Sequence, residues 1–382
     1  MKNFDVLIIG AGSIGVPLSF CLSEKGVKVG VIDKMPSIGR GQNRSAIGGI
    51  RATHSDPTKI KICQKSLEIV SAMEPKFGFD VDWVQGGYMF PVYDYDREKT
   101  LRSLLEYQQH CHLNINWITS KQVEELAPGI NTNNLIGGTY SPEDGSASPM
   151  KLIDAFYVMA DNEGAEFFFN EEVVDFVFSQ RKIREVITNK DTYSADVVVH
   201  ATGGDAKDLC AKLNVDVPVY PDSHEGGITE PVQRFFEPMI VDIRPNKGSA
   251  NYYFYQNGEG QVVFCITPDP KILGKDCDNT SKFLPQVVQR MISLYPRLRN
   301  LRIRRTWRGL YPMTPDGFPI VGHPKEFDNM LLAIGMCGQG FMLGPGLGQI
   351  LSEIIVDKTN EYDFILDELT LYRNFTDEEK LK

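Results

Sequence analysis

Residues 4–9 are a short apolar, β-branched run that ends in glycines, the pattern of a strand buried on both faces of a parallel sheet. A helix is predicted next, with Pro17 in its first turn and Gly26 as a left-handed stop. Residues 27–32 repeat the strand pattern and end at Asp33, which completes a βαβ opening. Residues 35–56 are rich in Gly, Ser and Arg and read as a functional loop, and residues 59–73 return to helical spacing through Ile62, Leu67, Ile69 and Val70. Between 81 and 140 the pattern is mixed: Trp83, Tyr88, Phe90 and Tyr93 suggest strands, and 101–111 a helix. The αβ rhythm resumes with a helix over 149–163, strands over 166–178 and a continuous buried strand over 195–201 that ends in Thr202-Gly203-Gly204. From 217 to 309 short aromatic strands alternate with turn signals such as Asn257-Gly258, which predicts a mainly antiparallel sheet. A glycine-rich strand, loop and helix follow to about residue 355, and the tail 376–382 is expected to fray.

The 382 residues suggest two to three domains at roughly 150 residues each. Forty basic against fifty acidic side chains give a formal charge of −10, which disfavours capture by nucleic acid or an anionic membrane. The seven cysteines are widely spaced with no CxxC pair, so reduced thiols in the cytoplasm are expected, without disulfides or zinc. His110-Cys111-His112 reads as a solvated turn, because adjacent residues cannot all face one ion. The apolar run near the start is too short for a signal peptide or membrane span.

Gly10-Ala11-Gly12-Ser13-Ile14-Gly15 matches GxGxxG between a strand and a helix. The first glycine permits the turn, the second admits a pyrophosphate, and the third lets helix and strand pack closely. Asp33 lies eighteen residues past the last glycine, at a strand tip where a carboxylate accepts hydrogen bonds from ribose hydroxyls. Acid at this position disfavours a 2′-phosphate but fits NAD and FAD equally. The αβ pattern breaks after about residue 80 and returns near 145 and after 315, and a nucleotide domain gathered from three distant segments is typical of flavoproteins.

The N-terminal motif, the loop 41–51, the segment Asp144-Gly145-Ser146-Ala147-Ser148-Pro149, the strand end Ala201-Thr202-Gly203-Gly204, the stretch 307–322 and Gly338-Gln339-Gly340-Phe341 together resemble the FAD-dependent D-amino-acid-oxidase-like family. Trp307-Arg308-Gly309-Leu310-Tyr311 and Met313-Thr314-Pro315-Asp316-Gly317 are most similar to its sarcosine oxidase β and proline dehydrogenase β branch. The resemblance implies an α/β fold: a Rossmann-like FAD-binding domain from 1–82, 145–215 and 316–382, and an α+β substrate domain with a mainly antiparallel sheet from 83–144 and 216–315.

It also implies the cofactor contacts. Gly10, Gly12, Ser13, Ile14 and Gly15 meet the pyrophosphate, and Asp33 and Lys34 the ribose. Val173 gives its backbone to adenine, or is an ordinary core valine. Ala201, Thr202 and Gly203 let the nucleotide pass close, as Gly204 also would. Gln42, Arg44, Ser45, Gly48 and Gly49 approach the flavin, and Gly338, Gly340, Phe341 and Met342 aim a helix N-terminus at its pyrimidine edge, where reduction places negative charge. Arg51 is the candidate for the substrate carboxylate, with Arg44 a second. Tyr253 and Tyr255 share one strand face and Tyr252 takes the other, so one set lines the pocket; His54 is a pocket candidate or a polar loop residue.

Three departures refine this. The residue aligned with a flavin-linking cysteine of monomeric sarcosine oxidases is Gly309, which implies noncovalent FAD. Gly260-Gln261-Val262-Val263-Phe264 lacks the lysine those oxidases use toward oxygen, which points to a dehydrogenase with another acceptor. Tyr311-Pro312 replaces an Arg-Pro pair of glycine and D-amino acid oxidases, which argues against free glycine or an ordinary D-amino acid. The expected function is oxidation of the C–N bond of a small amino or imino acid of the proline, hydroxyproline or sarcosine type by hydride transfer to flavin N5, with an unidentified acceptor and with partner subunits in play. The rivals are a 2-hydroxy acid or glycerol-phosphate flavoenzyme needing a base such as His54 or His224, a flavin-binding subunit inside a hetero-oligomer, and an NAD-dependent dehydrogenase.

Overall fold

The computed structural model describes residues 1–376, so most of the tail expected to fray lies outside the described residues. Two eight-stranded sheets organise them. In the first, Lys2–Ile9 pairs in parallel with Val29–Asp33 on one side and Thr192–His200 on the other. Glu166–Phe169 and Met330–Ile334 extend it in parallel, Ile320–Gly322 closes one edge antiparallel, and the hairpin Val173–Ser179 and Lys182–Thr188 joins through Thr192–His200. Strand alternation divides Val6–Ile9 between two cores: Val6 and Ile8 face one, Leu7 and Ile9 the other, where Phe4 also packs. Each such large side chain removed from water contributes about 1.5–3 kcal/mol, which is why this run accepts no charge after Asp5.

The helix Gly15–Ser23 is buried at every position, because helices Gly340–Val356 and Pro149–Asn162 both lie against it above the sheet. Two glycines set that approach. A Cβ on Gly344 would stand 1.9 Å from the Ser13 carbonyl oxygen, and one on Gly348 2.8 Å from the Leu18 nitrogen. The C-terminal helix thus presses backbone to backbone on the glycine loop that opens the chain.

The second sheet runs in the order Ile303–Met313, Tyr220–Thr229, Val262–Pro268, Ser249–Gln256, Met239–Asp242, Tyr88–Val92, Gly137–Ser141, Asn116–Thr119. Every pairing is antiparallel except Met239–Asp242 with Tyr88–Val92. Helix Phe283–Leu294 interrupts the stretch expected to be strands and turns: Phe283, Val287, Met291 and Leu294 recur at helical spacing and cover the Tyr252, Phe254 and Phe264 face of the sheet. The opposite face carries Tyr253, Tyr255 and Val263. Of the triplet read as a solvated turn, His110 ends a helix and is exposed, as is His112, while Cys111 is half-buried. No three metal-ligating side chains converge among the described residues.

Candidate active site

The carboxyl ends of the parallel strands open into a cavity of about 1360 Å³, whose other wall is the aromatic face of the second sheet. Ligands in open α/β sheets occupy this position because helix N-termini and turns converge there. At the nucleotide end, Gly10, Gly12, Ser13 and Ile14 line the cavity, and Gly15 sits behind them. A Cβ on Gly15 would meet the Gly10 carbonyl oxygen at 1.9 Å, whereas one on Gly12 would meet nothing within 4 Å. The turn therefore needs glycine at 15 for its own closure and leaves 12 open to an occupant. Helix Gly15–Ser23 has no side-chain cap, and its N-terminal end, the end that favours an anion, opens on the cavity beside Gly12.

Asp33 accepts hydrogen bonds from the Ala11 N–H at 2.7 Å and the Met35 N–H at 2.8 Å, which fixes its carboxylate at the strand tip. Burial raises its pKa, and those two bonds and Lys34 oppose the rise. Lys34 itself pairs with Asp205 at 2.7 Å. Val173 lines the wall beside Glu171 and Glu172, and Ala201, Thr202 and Gly203 line the next strand end. Gly204 lies just outside, its N–H 3.4 Å from Gln42 Oε1.

In the middle, Gln42, Arg44, Ser45, Gly48 and Gly49 line the cavity, with Arg44 exposed. This loop is tied to the second sheet: Trp307 Nε1 donates to Ser45 O at 3.0 Å and the Tyr255 hydroxyl to Ile47 O at 2.8 Å. Tyr255 does not line the cavity; it shares a strand face with Tyr253, and its hydroxyl is spent holding the loop. A Cβ on Gly309 would stand 2.4 Å from Ser45 Cβ. Gly338, Gly340, Phe341 and Met342 form the facing wall, and Gln339 provides no side-chain cap to helix Gly340–Val356.

At the far end Arg51 is buried, donates to the Thr53 carbonyl, and lies 6.0 Å and 5.8 Å from the ring centres of Tyr88 and Phe90. The Tyr253 and Tyr311 hydroxyls are 2.8 Å apart. The His224 ring stacks on Tyr311 at 3.7 Å, and its Nε2 is 3.2 Å from Asp222 Oδ2, whose other oxygen accepts from the Ile272 N–H at 2.7 Å. Burial would raise the Asp222 pKa, but His224 and the Ile272 N–H hold it below the usual carboxylate range. Cys265 lies against both tyrosines, and burial pushes its thiol up to about 12. Tyr252 packs in the opposite core, and His54 is buried outside the cavity with its Nε2 3.5 Å from Cys63 Sγ. Sequence reasoning missed Cys265, the Asp222 support of His224 and the loop carrying Lys271 and Lys275, all of which border the cavity. Only the Asp-x-His spacing on a strand, which puts both side chains on one face, offered a signal.

Residues 5–354 match the family model described as DAO, FAD dependent oxidoreductase. The chain belongs to this family. It is 23% identical over 376 residues to glycine oxidase of Geobacillus kaustophilus, covering 96% of this chain and 97% of that one. It is 24% identical to sarcosine oxidase subunit beta of an Arthrobacter species, over 93% of this chain and 88% of that one. It spans 53% of the bifunctional ThiO/ThiG protein of Trichormus variabilis, at 24% identity over 94% of its own length. L-proline dehydrogenase from P. horikoshii has a similar structure, with a TM-score of 0.91 and 29% identity over 97% of this chain and 98% of that one. The cofactor of the family is FAD, and the residues present fit it: Gly12 leaves space at the turn, Asp33 lines the cavity at the tip of its strand, and two helices without side-chain caps begin at the cavity wall, where they would favour negative charge. No described helix is long and apolar enough to cross a membrane.

Proposed function

We propose that this FAD-dependent oxidoreductase oxidises the C–N bond of a small amino or imino acid, with proline, hydroxyproline and sarcosine the substrates of choice. The observation that carries the reading is Arg51: a buried cation beside the Tyr88 and Phe90 rings at the flavin end of the cavity is suited to a substrate carboxylate. FAD, when bound, supplies the hydride acceptor at N5. The chain's part is to clamp the carboxylate with Arg51, to bound the substrate ring with Tyr253 and Tyr311, and to exclude water, so that orientation lowers much of the barrier.

Noncovalent FAD is supported by Gly309, where the backbone meets Ser45 so closely that a side chain has no room. Absence of lysine from strand Val262–Pro268 supports a dehydrogenase with an acceptor other than oxygen. We assign 1–82, 145–215 and 316–382 to FAD binding and 83–144 and 216–315 to the substrate, in keeping with the strands each sheet draws on. Partner subunits are proposed from the likeness to a sarcosine oxidase β subunit, and a cytoplasmic location from seven cysteines that stand outside any disulfide. Turnover with dichlorophenolindophenol as acceptor, with and without oxygen, tests the reading: faster dye reduction with proline, hydroxyproline or sarcosine than with glycine or D-alanine supports it, and no turnover with any of the three removes it.

One observation favours a second reading. His224, backed by Asp222 in the cavity wall, has the form of a base for alcohol oxidation, so lactate and glycerol 3-phosphate belong in the same assay.

A further inference from the structure

The carboxylate of Asp144 is 1% exposed, yet it does not line the cavity described above and has no part in the chemistry assigned there. The strand that follows it, Gly145–Ser146, pairs antiparallel with Gly49–Ile50, the two residues before Arg51. The ladder stops there, and the side chain of Asp144 takes over: Oδ1 accepts from the Ala52 N–H at 2.8 Å, and Oδ2 from the Thr53 hydroxyl. Its own carbonyl accepts from the Gly87 N–H at 2.8 Å, beside Tyr88. Arg51 is thus bracketed by a strand pairing on one side and a buried carboxylate on the other.

We propose that Asp144 is a positioning residue for substrate binding, whose ionised carboxylate fixes the Ala52 and Thr53 backbone and so aims Arg51 at the substrate carboxylate. The inference rests on the reading of Arg51 given above. A buried acceptor held by a backbone N–H and a hydroxyl is strong while charged and weakens when protonated, because both contacts lose the charge assistance of the carboxylate. The groups facing it that carry or can carry charge are Arg51, which favours the ionised form, and Tyr88, which remains neutral because burial raises its pKa. Burial raises Asp144 to about 6, against hydrogen bonds from Thr53, Ala52 and Ser141 and the charge of Arg51. The carboxylate is therefore ionised above pH 6 and neutralised below it, within the range of an ordinary assay.

The test compares wild type with D144N on the flavin-loaded protein. Asn keeps an acceptor for the Ala52 N–H and has nearly the same volume, but it carries no charge. At pH 8 the KM for the substrate that turns over should rise about tenfold or more with kcat changed much less, and the acid limb of kcat/KM near pH 6 should vanish. Cyclopentanecarboxylate, which has a carboxylate and no C–N bond to oxidise, provides a second readout through its perturbation of the flavin spectrum. Its Kd should rise in D144N by the same factor as KM. If D144N fails to load flavin, T53V removes one of the two contacts and should give a smaller KM increase with the acid limb shifted. A D144N or T53V protein with wild-type KM and an unchanged acid limb overturns the inference while leaving the proposed function intact. Wild type that neither responds to cyclopentanecarboxylate nor oxidises any amino acid overturns both.

Discussion

Two alanine substitutions separate what the glycines do for the fold from what they do for the cofactor. In G344A the new Cβ would lie 1.9 Å from the Ser13 carbonyl oxygen, about 1.5 Å inside ordinary contact. Both partners are backbone, so the C-terminal helix must withdraw from the glycine loop, and overpacking of this kind costs about 1–3 kcal/mol. In G12A the Cβ meets nothing within 4 Å, and the apo-protein should stay within about 0.5 kcal/mol of wild type. That same Cβ projects where the pyrophosphate must come within hydrogen-bonding range of the loop. Losing about 1.4 kcal/mol or more there raises the FAD Kd at least about tenfold. Urea denaturation of the apo-proteins and fluorescence titration with FAD measure the two quantities. The expected result is a crossed pattern, with G344A losing apo stability and G12A losing affinity alone. If G12A binds FAD as tightly as wild type, or G344A unfolds at the wild-type urea midpoint, the close-approach argument is refuted.

Two further outcomes follow from the buried carboxylates Asp316 and Asp222 and their partners. Asp316 accepts two hydrogen bonds from Arg373, at 2.8 and 3.1 Å, and is nearly fully buried. Burial alone would raise its pKa, but Arg373 and the Phe318 N–H hold it below the ordinary range. Its stabilising contribution is therefore complete above the unfolded value near 4 and is lost as pH falls through the lower folded value. R373A should cost about 3–5 kcal/mol at pH 7 by stranding a buried carboxylate, with the deficit shrinking below pH 4 in urea titrations; a deficit that does not change with pH contradicts this. In H224Q an amide nitrogen still reaches Asp222 but cannot act as a base. Oxidation of a neutral amine should lose less than about a hundredfold in kcat, whereas alcohol oxidation should lose about 10²–10⁴-fold, which single-turnover kinetics resolve.

The βαβ opening, the two uncapped helices and the return of the first sheet in three segments were legible because each is written in local chemistry: apolar alternation, glycines at fixed offsets, an acid at a strand tip. Helix Phe283–Leu294 was hidden by neighbouring aromatic strands, although Phe283, Val287, Met291 and Leu294 carry a helical period. Tyr253 and Tyr255 were placed on one face by strand alternation, but which of them reaches the cavity depends on the loop at Ile47, more than two hundred residues away. Tyr255 was thereby turned from a pocket candidate into a support. The stack of His224 on Tyr311 and the seating of Asp144 beneath Arg51 depend in the same way on strand register and on contacts between distant segments, which no local pattern encodes.

The most direct measurement is the anaerobic visible spectrum of the purified protein before and after stoichiometric addition of proline, hydroxyproline and sarcosine in turn. The account predicts a yellow protein whose flavin band is bleached by one of them and recovers slowly when air is admitted. A flavin band that none of the three bleaches, while lactate or glycerol 3-phosphate does, would contradict it.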